Sequence, residues 1–324
     1  MPDILYICVP CYKEEEVIPE TSARLKEKMR NLITSGLISD LSKIVFINDG
    51  SADKTWEMIK DLHLKDKLFS GINLSRNRGH QNALLAGLMT VYPLADMVIS
   101  MDADLQDDIN AVDEMVKKYY EGSDVVYGVR SKRTTDTFFK RATAEGFYKL
   151  MGLMGAKIVF NHADYRLMSK RALYGMAEFK EVNLFLRGIV PMVGYKSDIV
   201  YYERRERFAG ESKYPLKKMI AFAFEGITSL STGPIRLVTL LGVGVFGISI
   251  LMLIYFLIRY FTGATVVGWA SIAVSIWAIG GLQLLALGVI GEYVGKIYLE
   301  TKGRPRYIVE SFINEADKKT GRHE

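Results

Sequence analysis

From Leu237 to Ile258 the chain carries no charge, and from Tyr260 to Gly291 it again carries none; Arg236, Arg259 and Glu292 bracket the two runs. No other feature restricts the fold as much. A bilayer core needs about 20 apolar helical residues, so each run is long enough to span once. Residues 235–295 are therefore expected to form two transmembrane helices, with Gly263-Ala264 in a short connection that makes them a hairpin. Buried helices of a soluble protein are the competing reading. The mean hydropathy of +0.09, with its apolar excess concentrated in these runs, favours the hairpin.

Charge at the flanks sets an expected orientation. Lys213, Lys217, Lys218 and Arg236 precede the first run, and Lys296, Lys302, Arg304 and Arg306 follow the second. The positive-inside rule puts the N-terminal domain (1–213) and the basic tail (296–324) in the cytoplasm of a multi-pass plasma-membrane protein. The start, Met-Pro-Asp, has no basic n-region, so no signal peptide is expected. Residues 214–234 mix apolar bulk with Lys217, Lys218 and Glu225. They read either as an interfacial helix in the headgroup plane or as a helix packed on the preceding domain. The net charge of +5 suits an anionic membrane surface and is too diffuse to argue for nucleic acid.

The chain up to Lys213 has a different rhythm. Short apolar runs at Ile4–Val9 and Lys43–Ile47, a third ending in Leu74-Ser75-Arg76-Asn77-Arg78-Gly79, Met97–Ile99, and a fifth beginning Asp124-Val125-Val126-Tyr127-Gly128 alternate with helix-like stretches at Glu15–Ser35, Lys54–Leu64, Gly79–Val91 and Asn110–Glu121. Such alternation predicts an α/β domain with a mainly parallel sheet and helices on both faces. Ligands of open α/β sheets bind outside the carboxyl ends of the strands. Three of these ends carry chemistry-bearing residues. Tyr12 and Glu14 follow the first run, where they would frame a base. Asp49 follows the second, placed to accept hydrogen bonds from a ribose hydroxyl or base imino group, with Gly50 permitting close backbone approach. Asn48-Asp49-Gly50-Ser51 alone also reads as a plain tight turn. After the fourth run, Asp102 and Asp104 with Gln106 offer hard oxygen ligands suited to Mg²⁺ or Mn²⁺.

Taken together, Val9-Pro10-Cys11-Tyr12-Lys13-Glu14-Glu15, Asn48 to Thr55, Leu74-Ser75-Arg76-Asn77-Arg78-Gly79 and Asp102-Ala103-Asp104-Leu105-Gln106-Asp107 resemble the motif series of family-two glycosyltransferases with a GT-A (Rossmann-like) fold. Within that family the resemblance is to the polyprenyl-phosphate sugar transferases, which include dolichol-phosphate mannose synthase and bactoprenol glucosyltransferase. It extends to about Arg306. The resemblance implies an inverting hexosyltransferase that moves glucose or N-acetylglucosamine from a UDP-sugar to polyprenyl (undecaprenyl) phosphate, for cell-envelope glycosylation. It implies nucleotide contacts at Pro10, Tyr12, Glu14, Asp49, Asp102 and Ala103, and a divalent metal on Asp102, Asp104 and Gln106. Asp104, Asp164, Arg207 and Lys213 are the implied catalytic set; Arg130, Arg166, Arg207, Ser212 and Lys213 would meet the acceptor or donor phosphates. Two positions depart from the family pattern: Lys13, where Asn is usual, and Arg78 before Gly79, where an apolar or aromatic residue is common.

The basic stretch 204–213 has a simpler reading as attraction to lipid headgroups. Cys8-Val9-Pro10-Cys11 matches Cys-x-x-Cys, yet its first thiol lies inside a strand and the chain has only two cysteines, so both are read as core residues. Rival functions are a processive polysaccharide synthase, whose Gln-x-x-Arg-Trp motif is missing from this sequence, and a membrane-anchored nucleotide-sugar-binding protein without catalysis. A homo-oligomer is left open.

Overall fold

The computed structural model describes residues 2–131, 162–182, 185–203, 233–262 and 268–314. Arg207, Ser212, Lys213 and nearly all of the interfacial segment lie outside these residues, as does the connection at 263–264. The chain divides into two units. One contains the N-terminal α/β region and the residues from Pro305 onward, and the other contains the two long apolar helices.

The α/β unit begins with β1 (Leu5–Cys11), α1 (Ile18–Thr34), β2 (Lys43–Asn48), α2 (Thr55–Lys65), β3 (Phe69–Leu74), α3 (His80–Val91), β4 (Met97–Ser100), α4 (Ala111–Tyr120) and β5 (Val125–Arg130). It continues with β6 (His162–Ser169), α5 (Lys170–Ala177), α6 (Leu186–Met192) and β7 (Ser197–Tyr202), and closes with β8 (Val309–Ile313). The strands form one sheet in the order β7-β5-β6-β4-β1-β2-β3-β8. Every residue of β1 is buried, as expected for a central strand covered on both faces. One apolar core, including Leu25, Met29, Phe46 and Ile99, lies on one side of the sheet; the other, including Val45, Leu84, Leu88 and Val98, lies opposite. Cys8 and Cys11 are buried free thiols within this arrangement.

Pairing direction positions the functional edge. β1 runs parallel to both β2 and β4, and β2 parallel to β3, so the carboxyl ends of all four meet at one edge. β6 runs antiparallel to β4, with Arg166 opposite Ser100, so the start of β6 arrives where β4 ends. β5 and β7 run parallel, and their last residues, Arg130 and Tyr202, pair at that edge too.

β8 was not anticipated. The basic tail expected at 296–324 instead begins as helix to Lys302, and Val309–Ile313 then pairs antiparallel with β3. Consecutive strand residues point to opposite faces, so Ile313 reaches one core and Phe312 the other. This covers the β3 edge, whose unpaired backbone groups would otherwise invite pairing with another chain.

The second unit contains α7 (Gly233–Phe261) and α8 (Trp269–Lys302). Both include stretches long and apolar enough to cross a membrane, within Gly233–Met252 and Ile279–Lys302. Many of their described apolar side chains are exposed, as with Leu251 at 67 % and Leu284 at 72 %, and such extended apolar surface marks a face that something else covers. The first charge-free run falls inside α7. The second divides, because Tyr260 and Phe261 still belong to α7 while α8 continues past Gly291 and Glu292 to Lys302. Absence of charge marks an apolar environment and says nothing about where the backbone turns.

Candidate active site

The loop after β2 is built by close approach. Gly50 has φ +61°, and a Cβ there would lie 2.5 Å from the carbonyl carbon of Arg76 and the nitrogen of Asn77. Only glycine allows the loops after β2 and β3 to touch so closely. Asp49, 2 % exposed, holds that contact: Oδ1 accepts from the Arg78 N–H at 2.7 Å and Oδ2 from the Gly79 N–H at 2.9 Å. Burial pushes the Asp49 carboxyl up, against these two donors and the nearby charges of His80 and Arg78. Gly79 itself sits at φ 83°, ψ 155°, a conformation essentially reserved for glycine, and begins α3. Gly50, expected to let backbone approach a ligand, packs instead against the neighbouring loop.

The loop after β1 joins the same assembly. Lys13 N–H donates to Ser51 Oγ at 3.0 Å and Glu14 N–H to Thr55 Oγ1 at 3.1 Å. Lys13 has φ +56°, a left-handed conformation that a lysine side chain disfavours, and its ammonium sits 5.5 Å from the Tyr12 ring centroid. Tyr12 is 45 % exposed, whereas Pro10 is buried in β1. Tyr12, Glu14 and Asp49 thus surround one loop junction.

After β4 the chain turns sharply. Leu105 has φ +58°, Gln106 N–H donates to Asp104 Oδ1 at 3.2 Å, and the Ala103 carbonyl accepts from Thr21 Oγ1 of α1 at 2.7 Å. A buried leucine in the left-handed region is strain held in place by its surroundings, as at many functional turns. The turn presents Asp102 toward Asp164. His80 Nε2 stands between them, 3.4 Å from Asp102 Oδ1 and 3.9 Å from Asp164 Oδ2. Burial pushes the Asp102 carboxyl up to about 6; His80 opposes the rise, while Asp107, Asp164 and Asp104 add to it.

Asp164 behaves oppositely. Burial pushes its carboxyl up, but Arg187, Arg166 and His80 outweigh burial and hold it well below the usual carboxylate range. Arg166 Nη2 donates to Asp164 Oδ1 at 2.7 Å and Arg187 Nη2 to Oδ2 at 3.1 Å. Ser100 Oγ clamps the backbone by donating to the Asp164 carbonyl at 2.5 Å. Arg166 is only 1 % exposed, and its Nε and Nη1 are buried without a hydrogen-bond partner. The phosphate contact expected of Arg166 does not match this depth; the guanidinium nearer the surface is that of Arg187, at 34 %. Arg130 donates from Nη2 to Asp107 Oδ1 at 3.4 Å and from Nε to Tyr202 Oη at 3.3 Å, and Tyr202 Oη donates to the same Asp107 oxygen at 2.5 Å.

The donor set suits a divalent cation in one respect. Crowded carboxylates, one of them driven toward protonation, are what a cation relieves. Among the described residues no three or more His, Cys, Asp or Glu side chains form a ready cage. An open site, in which one or two carboxylates are completed by a ligand's phosphate oxygens, would use Asp102 and Asp104.

His80, Arg187, Asp107 and Tyr202 were missed as site residues in the sequence. His80 stood beside a quoted motif, and Arg187 is the lone cation in the apolar stretch Phe185–Val190; neither signal is strong.

A mixed, mostly parallel sheet with an acidic turn after β4 and an aspartate-held loop after β2 is the architecture of a GT-A glycosyltransferase. Residues 6–175 match the model of glycosyl transferase family 2. An uncharacterized glycosyltransferase of Bacillus subtilis is 53 % identical over 95 % of this chain and 91 % of its own length. The bactoprenol glucosyl transferase of Shigella phage SfX is 42 % identical over 94 % and 97 %. Among solved structures, the mannosyltransferase of Pyrobaculum calidifontis with GDP-Man and Mn²⁺ covers 92 % of this chain and 85 % of its own, at 15 % identity and a TM-score of 0.43. The chain belongs to glycosyl transferase family 2, and it is an enzyme of that class.

Proposed function

We propose that the enzyme moves a hexose, glucose or N-acetylglucosamine, from a UDP-sugar to polyprenyl phosphate at the cytoplasmic face of the plasma membrane. The observation that carries this reading is the meeting of Asp102, Asp164, His80 and Arg187 at the edge where β4 ends and β6 begins. The bactoprenol glucosyl transferases, at about 40 % identity along nearly the whole chain, support the acceptor and glucose as the sugar.

The residues divide the work by charge. Asp164, kept ionised by two guanidiniums, is a fixed negative charge facing the sugar or acceptor and is poorly suited to take a proton. None needs to be taken. A phosphate monoester loses its second proton near about pH 6, so a lipid phosphate is already a dianionic nucleophile at neutral pH. Its attack on the anomeric carbon in a single displacement inverts that carbon. Asp102, Asp104 and Gln106 would hold Mg²⁺ or Mn²⁺, which when bound offsets the charge of the departing diphosphate. Tyr12 would serve the nucleotide directly, and Asp49 would do so by holding the junction through its bonds to Arg78 and Gly79. Arg130, oriented by Asp107 and Tyr202, would serve a phosphate, with Arg207, Ser212 and Lys213 as further candidates for the acceptor.

Membrane topology is part of the proposal. β8 follows α8 in the chain yet pairs with β3. Residues before α7 and after α8 therefore share one compartment, so the two apolar helices cross as a pair, and the flanking Lys and Arg residues make that compartment the cytoplasm. Membranes carrying the enzyme, given a panel of labelled nucleotide sugars and undecaprenyl phosphate, should yield one labelled lipid-phosphate-sugar. Transfer only to growing polysaccharide, or to no lipid, refutes the reading.

A further inference from the structure

An amide ladder runs from the last strand to the loop after β2. Asn73 Nδ2 donates to Glu310 Oε2 at 2.6 Å, Asn48 Nδ2 donates to Asn73 Oδ1 at 2.6 Å, and Ser51 N–H donates to Asn48 Oδ1 at 3.3 Å. Ser51 Oγ then accepts from the Lys13 N–H at 3.0 Å. Glu310 lies on β8, beyond the second apolar helix, while Asn48 and Asn73 sit opposite each other at the ends of β2 and β3.

We infer that Glu310 is a positioning residue for the donor: it fixes the polarity of the Asn73–Asn48 ladder that holds the Asn48–Ser51 loop in shape. The inference rests on the reading of that loop as the nucleotide side of the donor site. A carboxylate only accepts hydrogen bonds, whereas an Asn amide can turn either end outward. Beside Glu310, Asn73 must present its NH₂ to the carboxylate and its oxygen to Asn48. Asn48 must then present its NH₂ to Asn73, which leaves its oxygen for the Ser51 N–H. Asn48 is 2 % exposed, so water offers little compensation for a wrong polarity. With the polarity reversed, the Asn48 NH₂ faces the Ser51 N–H, and the turn carrying Asp49 and Gly50 loses its brace.

A structural account of an exposed glutamate expects any substitution there to be nearly silent. The ladder expects substitutions to be ranked by hydrogen-bond direction. Glu310→Gln keeps an acceptor and should match the wild type. Glu310→Lys supplies only donors; it should speed amide exchange in peptides covering residues 48–55 and weaken UDP-glucose binding by about fivefold or more, the worth of one net hydrogen bond. Adding Asn73→Asp to Glu310→Lys restores an acceptor between two donors and should recover both measurements. The full-length enzyme in detergent is used throughout, with the thermal midpoint read in parallel. Wild-type exchange and binding in Glu310→Lys, or no recovery in the double variant, overturns the inference. If exchange follows the ladder but the wild type binds no UDP- or other nucleotide sugar, the ladder shapes the loop only; the donor role then falls together with the proposed function.

Discussion

Asp102 carries an electrostatic cost that a bound cation would remove. Its folded-state pKa of about 6 lies above the ordinary carboxylate value near 3.9, so without a cation the fold binds a proton more tightly than the unfolded chain does. The stability from this group is complete at low pH and is lost as pH rises through about 6. Asp164, held low, acts with the opposite sign, and its contribution fades only as pH falls below the ordinary carboxylate range. The two are therefore separable. In chelator, Asp102→Asn should melt about 2–4 °C above the wild type at pH 7, with the difference shrinking toward pH 5, while transfer is abolished. An equal or lower midpoint at pH 7 removes the argument. Lys13 gives a second test: Asn tolerates its left-handed backbone better than lysine does, so Lys13→Asn should stabilise by about 0.5–1 kcal/mol in denaturant unfolding and leave activity near normal. At this scale Asp49 and Asp102 were legible from sequence because they stand just after apolar runs, whereas Asp164, behind the polar stretch Asn161-His162-Ala163, came only with the family resemblance. Their partners were not: Arg187 reaches Asp164 from α6 and His80 reaches Asp102 from the start of α3, separations along the chain at which no local pattern speaks.

Elements repeat that lesson with a clear dividing line. The alternation through β5 was legible because β1, β2, β4 and β5 are mostly apolar runs punctuated by polar turn residues; β3, with Ser70, Gly71 and Asn73, is less apolar, and α1 to α4 fall within or one residue beyond the stretches read from sequence. β6 and β8 were not legible, since antiparallel insertion next to β4 and edge pairing with β3 are decided by partners remote in the chain, with both apolar helices lying between β3 and β8. The contact between the loops after β2 and β3 belongs to this class as well. Gly50→Ala places a methyl against the Arg76–Asn77 backbone and imposes a left-handed conformation worth about 1–2 kcal/mol by itself. It should separate the two loops, release the Asp49 bonds to Arg78 and Gly79, and weaken nucleotide binding by more than about tenfold. Calorimetry showing unchanged affinity for UDP in a folded Gly50→Ala protein contradicts this account of the junction.

For the whole molecule, the fold limits how the chain meets a membrane. β8 pairs in the same sheet as β7, so Val309–Ile313 and Ser197–Tyr202 would lie on one side of any membrane the chain meets. An even number of crossings would satisfy that pairing, and the proposed topology uses two, one for each of the long apolar helices. In the proposed topology the sign of the flanking charge selects the side: Arg236 before the pair, and Lys302, Arg304 and Arg306 after it, would belong with the cytoplasm. The native thiols Cys8 and Cys11 are buried, so a membrane-impermeant maleimide should see little background. In intact cells it should label Gly263→Cys and spare Arg304→Cys, which is labelled only once the membrane is permeabilised. The converse pattern would put the catalytic sheet outside, away from the nucleotide sugar, and the proposed reaction would fail with it. Labelling of both positions in intact cells would mean that the helices do not cross as a pair, although β8 still joins β3.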